Sequence, residues 1–303
     1  MIKPEPLHEG SVVAIVATAR AVFSKDLEFA KDWLTSCGYR VMLANNIDHT
    51  YHQFAGDDAM RINALQKVID DDNIDAIWFG KGGYGCARVV DHINFKPLME
   101  RTKWFIGYSD PTVFHLALFN KGIMSLHGVM PVGLSEKSVD SRVHLNNLLR
   151  GKALHYRLEK VSALNRDGEA EGRLIGGNLS VIQSVIGSPS SLCPKDNILF
   201  LEDLDEYLYH IDRMMINLKR NGVFERVNGL IIGSFSAMKD NDVAFGKTAY
   251  AIIKDVVEQY DLPMYFDFPA GHEVDNYPLL LGEEVIMKVQ NGQLNLQAKN
   301  GSA

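Results

Sequence analysis

A chain of 303 residues with 46% hydrophobic content can bury a large core, and its length suits one large or two medium domains. Its formal charge of -7, from 31 basic against 38 acidic residues, leaves no basic stripe of the kind that nucleic acid or an anionic membrane surface requires, so neither is expected as a partner. No apolar run approaches the ~20 residues of a membrane span, Met1 to Pro6 has no charged-then-apolar leader, and Cys37, Cys86 and Cys193 lack metal-ligand spacing. Together these features predict a cytoplasmic protein in a reducing compartment, its three cysteines acting as packing residues.

Ser11 to Ala17 is a continuous, β-branched-rich run, which predicts a parallel strand buried on both faces. Helical spacing from Lys25 to Cys37 stops at Gly38, and Arg40 to Leu43 reads as a second strand. Asp57 to Asp71 is again helical and Ala76 to Phe79 again a strand. Alternation of this kind predicts a parallel α/β sheet.

Gly80-Lys81-Gly82-Gly83-Tyr84-Gly85 follows the third strand directly, with Cys86 to Val90 expected to begin a helix. A glycine-rich turn lets backbone N–H groups approach a phosphate, a carboxylate or an oxyanion. No Gly-Lys-Ser/Thr closes it, and its spacing does not match the dinucleotide fingerprint. Next, Trp104-Phe105-Ile106, Gly107-Tyr108-Ser109-Asp110-Pro111-Thr112 and the apolar run to Phe119 read as strand, sharp turn and helix. Gly107 is expected to permit the turn, and Asp110 or Thr112 to satisfy free N–H groups at the helix start. Ser109 is then placed beside backbone donors, which suits a nucleophile in acyl transfer, although a helix cap is the ordinary role of such a serine. Loops at the carboxyl ends of neighbouring strands gather at one crevice, so the glycine loop and Ser109 are expected to face each other.

A short strand at Met124 to Gly128 and a helix over Val139 to Leu149 close the first half. Gly151 to Leu174 suits a linker and a hairpin, placing a boundary near residue 152, with domains 1–151 and 152–303. Ile175-Gly176-Gly177-Asn178 reads as a further glycine turn before a helix, with an Asn or Gly cap as the plain alternative. Asn197 to Leu201 is an apolar strand that ends in Glu202 and Asp203. No histidine near them has ligand geometry, so hydrogen bonding to a cationic or imidazole partner is expected ahead of metal binding. Gly229 to Phe235 and Pro263 to Phe268 are further strands around a helix from about Lys247 to Glu258. Of the ten histidines, His272, behind Gly271 at a strand end, is the one placed to present a base; His115 and His127 belong to the core. Asn276 to Gly282 reads as a closing turn, followed by a hairpin around Asn291-Gly292.

One serine on an elbow, one glutamate ending a buried strand and one loop histidine fit the logic of Ser-His-acid hydrolases. Ser109 lies in the first half and Glu202 and His272 in the second, so such a site has to form between domains.

The motifs Gly82-Gly83-Tyr84-Gly85, Gly107-Tyr108-Ser109-Asp110, Gly176-Gly177-Asn178-Leu179, Leu201-Glu202-Asp203 and Gly271-His272-Glu273 resemble, in order and across nearly the whole chain, the LD-carboxypeptidase family, which includes the microcin-C immunity peptidases. The resemblance implies a parallel α/β domain followed by a strand-rich one, with the site in the groove between them. It implies Ser109 as nucleophile, His272 as general base and then acid, Glu202 as the carboxylate holding His272, and an oxyanion hole from the N–H groups of Gly83 and Asp110. It further implies metal-independent, cofactor-free hydrolysis of a murein tetrapeptide, releasing C-terminal D-alanine in cell-wall recycling, by a homodimer. Arg88, Lys81 or the N–H groups from Gly176 to Asn178 are candidate partners for the substrate carboxylate, with Gly82 lining the site. Lys81 stands where many members carry arginine, and the proline after His127-Gly128 comes later than in a simple His-Gly-Pro pattern. The length favours the carboxypeptidase over the immunity branch. A binding module, with Ser109 only a cap, is the alternative from another class.

Overall fold

The computed structural model describes residues 1–299, which form two sheets with helices packed against them. In the first half, β1 (Val12–Val16), β2 (Arg40–Leu43), β3 (Ala76–Phe79), β4 (Trp104–Gly107) and β5 (Ser125–His127) are all parallel. They alternate with α1 (Glu28–Ser36), α2 (Asp58–Asp70), the short α3 (Pro97–Glu100) and α4 (Thr112–Asn120), and α5 (Val139–Leu149) follows. Asp57 caps α2 through Met60 N–H and Ser138 caps α5 through Ser141 N–H, so side-chain acceptors mark both helix starts.

The second half contributes β6 (His155–Leu158), β7 (Gly168–Asn178), α6 (Leu179–Ser184), β8 (Asn197–Leu204), α7 (Leu208–Arg220), β9 (Gly229–Ser236), α8 (Ala249–Val257), β10 (Met264–Phe266), β11 (Leu279–Leu281), β12 (Glu284–Gln290) and β13 (Gln293–Ala298). Seven of these strands make one sheet in the order β10-β9-β8-β7-β12-β13-β6, parallel from β10 to β7 and antiparallel beyond. The eleventh strand leaves it: β11 pairs antiparallel with β5 and completes a six-stranded first sheet, β11-β5-β4-β3-β1-β2.

Side-chain alternation along the strands feeds two cores. Val13 and Ile15 pack with Ala30 and Leu34 of α1, while Ala14 and Val16 pack with Leu65 and Val68 of α2. Both cores run through both halves of the chain, since Ile198 and Phe200 of β8 join the first set and Leu199 and Leu201 the second.

Several expectations give way to this topology. Residues 151–174 form no local hairpin: β6 pairs with β13, and β7 pairs with β12 and β8, because the C-terminal hairpin offers a longer ladder than the two segments offer each other. Gly176 and Gly177 are strand residues of β7 rather than a turn, in register with Phe200 and Leu201. The segment from Cys86 makes only two 3-10 turns, Cys86–Arg88 and Val90–His92, where adjacent β-branched valines and a proline at 97 discourage a longer helix. The closing turn after Asn276 is the sheet-crossing β11. Among the cysteines only Cys86 is buried; Cys37 is half-buried and Cys193 exposed, so Cys193 is not a packing residue.

Candidate active site

β4 delivers the chain into the elbow at its carboxyl end. Ser109 has φ 66°, a left-handed conformation that costs a side-chain-bearing residue energy and that is held here by Thr112 N–H donating to the Ser109 carbonyl at 2.9 Å. The turn residue is thus the serine itself. Gly107 serves a different end: a Cβ there would fall 3.0 Å from the Phe79 ring and 3.2 Å from Pro111. A strained serine between strand and helix exposes its hydroxyl above the sheet, the geometry of a nucleophile elbow.

Neither Asp110 nor Thr112 caps α4, contrary to expectation. The buried Asp110 carboxylate accepts the Cys86 N–H at 2.8 Å, tying the elbow to the glycine loop. Burial raises its pKa, against the hydrogen bonds from Cys86. Thr112 Oγ1 accepts the Asn178 N–H at 3.1 Å, tying the elbow to the end of β7. Both side chains connect the elbow across the fold, and a local cap motif cannot reveal that.

Across the groove, β8 carries the wholly buried Glu202 two residues before its end at Leu204, and its register with β9 slips between Leu201 and Asp203; the strand thus runs past the point at which the apolar sequence stops. Glu202 Oε2 lies 2.7 Å from His272 Nδ1. The loop carrying His272 is fixed by its backbone: Gly271 N–H donates to Asn276 Oδ1 at 3.0 Å, His272 N–H to Ser234 Oγ at 3.1 Å, and Asn276 N–H to Ser141 Oγ of α5 at 2.8 Å. Gly271 has φ 131°, and a Cβ there would fall 2.2 Å from Ser234 Oγ and 3.1 Å from Glu202 Oε2, so only glycine lets the pair approach. Burial alone would lower the imidazole pKa, but the charge and hydrogen bond of Glu202, with Asp203 behind it, raise it above the ordinary histidine value.

The Tyr108 ring packs 4.8 Å from the imidazole, and Lys137, whose ammonium lies 5.5 Å over that ring, donates to the Glu273 carbonyl. Burial lowers the Lys137 pKa against several nearby carboxylates. Nothing in the local sequence signals Lys137, because only the tertiary fold brings it to the histidine loop.

Ser109, His272, Lys81, Gly82, Gly83 and Asn178 line one groove of about 590 Å³. Ser109 and His272 share this groove without a hydrogen bond between them among the described contacts, as is common in a hydrolase site that holds no substrate. Gly82 backs Ser109 closely, since a Cβ would fall 3.1 Å from Ser109 Oγ. Asn178 has structural work: its Oδ1 accepts Val181 N–H at the start of α6 and its Nδ2 donates to Asp203 at 2.9 Å, while its own N–H is taken by Thr112. Asp203 accepts further N–H groups from Ser180 and Leu204, and burial with the neighbouring Glu202 charge pushes its pKa up to about 7. Arg88 is not part of the groove: Asp58 holds its guanidinium and raises its pKa. Arg20, which sequence reasoning missed, lines the groove instead. Among the described residues no three His, Cys, Asp or Glu side chains gather as a metal site, and no helix is long and apolar enough to cross a membrane.

A left-handed serine on a strand–helix elbow, sharing a groove with a histidine–carboxylate pair, is the arrangement of a serine-type hydrolase. Residues 13–128 match the model of the LD-carboxypeptidase N-terminal domain and residues 171–287 that of the C-terminal domain. A probable murein peptide carboxypeptidase of Bacillus subtilis is 30% identical over 295 residues, covering 94% of this chain and 91% of that one. The crystal structure of muramoyltetrapeptide carboxypeptidase from Oxalobacter formigenes superposes with a TM-score of 0.87 at 27% identity, covering 97% of this chain and 100% of the other. MccF in complex with glutamyl sulfamoyl guanosine has a TM-score of 0.88, at 18% identity and 99% coverage of both chains, a likeness of fold. The chain belongs to the LD-carboxypeptidase family and is a serine carboxypeptidase.

Proposed function

We propose that this protein hydrolyses the L,D-amide bond before the C-terminal D-alanine of murein tetrapeptides, in cell-wall recycling, with Ser109 as nucleophile. His272 Nε2 takes the Ser109 proton as Oγ attacks the scissile carbonyl, while Glu202 holds the Nδ1–H tautomer and stabilises the imidazolium. The N–H groups of Gly83 and Asp110 receive the oxyanion; neither has an acceptor among the described residues. His272 returns the proton to the departing amine, D-alanine leaves, and a water activated by the same imidazole releases the tripeptide from Ser109. No metal or cofactor takes part in these steps. The nucleophile comes from residues 1–151 and the histidine–carboxylate pair from residues 152–303, so catalysis requires both halves.

The observation that carries this reading is the 2.7 Å His272–Glu202 pair on the groove that holds the strained Ser109. The names of the Bacillus and Oxalobacter relatives support the substrate class. We extend the reading to a cytoplasmic homodimer, consistent with soluble murein peptides as substrate. Mass spectrometry of a murein tetrapeptide incubated with the protein in EDTA tests it. Loss of one alanine with the wild type, and none with Ser109→Ala, is expected. An intact tetrapeptide beside cleaved aminoacyl-sulfamoyl adenylate would point to the immunity branch instead.

A further inference from the structure

Resting on the carboxypeptidase reading above, we propose that Arg20 is the specificity-determining residue that binds the terminal carboxylate of the substrate and so makes the enzyme an exopeptidase. In a C-terminal amide the carboxylate carbon is separated from the scissile carbonyl carbon by one nitrogen and one Cα, a span of about 4 Å. Whatever cation reads that carboxylate must therefore adjoin the oxyanion donors.

Arg20 meets this requirement. It follows β1 at the same carboxyl-end crevice that receives the glycine loop from β3 and the Ser109 elbow from β4. Its side chain lies across Gly83: a Cβ on that glycine would fall 2.6 Å from Arg20 Nε and Cδ, and Gly83 adopts φ 105°. The second donor is Asp110, whose pKa burial raises and the Arg20 charge opposes only slightly. The backbone that carries Arg20 is pinned rather than loose, with Ala21 N–H donating to Gln53 O at 2.9 Å and Ala55 N–H to Ala19 O at 3.1 Å.

The guanidinium is exposed and makes no ion pair among the described residues, in contrast to Arg88 and the buried Arg61, both committed to Asp58. A guanidinium offers a carboxylate two parallel N–H donors, a geometry the Lys81 ammonium on the same groove cannot reproduce. The groove lining also carries Asp203, Asp205 and Glu206, carboxyls that offer a substrate carboxylate no cationic partner, and Asp205 is itself paired with Lys239.

The test compares a murein tetrapeptide ending in free D-alanine with the same peptide ending in D-alaninamide, on wild type, Arg20→Ala, Arg20→Lys and Lys81→Ala, with thermal melts confirming the fold. The wild type is expected to prefer the free acid in kcat/KM by roughly 10- to 100-fold, mostly through KM. Arg20→Ala should abolish that preference by losing activity on the acid while retaining it on the amide, and Arg20→Lys should restore part of it. A merely structural role would lower both substrates alike. An undiminished preference in Arg20→Ala, or its loss in Lys81→Ala alone, overturns the assignment and leaves the carboxypeptidase standing. Failure of the wild type to cleave either peptide overturns the function and this inference together.

Discussion

Glu202 Oε2 and His272 Nδ1 stand 2.7 Å apart, one wholly buried within β8 and the other on a loop fixed through Ser234 and Asn276. Their pairing raises the imidazole pKa despite burial, and this has opposite effects on activity and stability. A general base must be neutral, so the acid limb of kcat/KM is expected above the ordinary histidine value of about 6.5. The stabilisation that the protonated imidazole draws from Glu202 is full below that value and lost as pH rises through the raised pKa. Glu202→Gln should move the limb to lower pH, flatten the stability profile, and reduce kcat by roughly 10⁴. Rate–pH profiles and denaturant titrations of both proteins check each part.

Ser109 at φ 66° separates function from stability. Ser109→Ala keeps the backbone strain and should remove activity while leaving the melting temperature nearly unchanged. Ser109→Gly removes activity and relieves about 1 kcal/mol of strain, a rise of roughly 2 °C in melting temperature. Paired melts of the two inactive variants provide the comparison.

Asp110 joins the elbow to the glycine loop through the Cys86 N–H. Asp110→Ala would leave that buried donor without an acceptor, at a cost of about 1–3 kcal/mol, and let the loop drift from Ser109. Asp110→Asn keeps an acceptor and should lose less of both stability and turnover. Urea denaturation with parallel kinetics measures the difference.

The first sheet is finished by β11 from the far end of the chain. Leu280, 1% exposed, should destabilise the whole molecule by about 2–5 kcal/mol when changed to alanine, in a single cooperative transition because both cores span both halves. A fragment ending at residue 151 lacks β11, the antiparallel neighbour of β5, and is expected to expose apolar surface, read by dye binding and circular dichroism.

The strands with unbroken apolar runs, such as Val12–Val16 and the 198–201 run of β8, were legible because burial on both faces needs such runs. Ser109 and His272 stand out in the sequence because each comes after a strand at a turn, and Glu202 because it continues an apolar strand; the structure puts Ser109 and His272 on one groove and Glu202 2.7 Å from His272. What the sequence could not disclose depends on distant partners. The Leu279–Leu281 strand looks like a turn until β5 is beside it, and Gly176 looks like a turn until the Phe200 backbone leaves no space for a Cβ. Arg88 resembles a substrate cation until Asp58 claims it, whereas Arg20 sits in an alanine-rich loop with no motif around it.

The most direct test of the central claim is rapid-quench mass spectrometry of the intact protein mixed with murein tetrapeptide, with proteolytic mapping of any adduct. The account predicts a transient tripeptidyl ester on Ser109 that forms as D-alanine is released and then decays. An adduct on another residue, or D-alanine release that persists in Ser109→Ala, would contradict it.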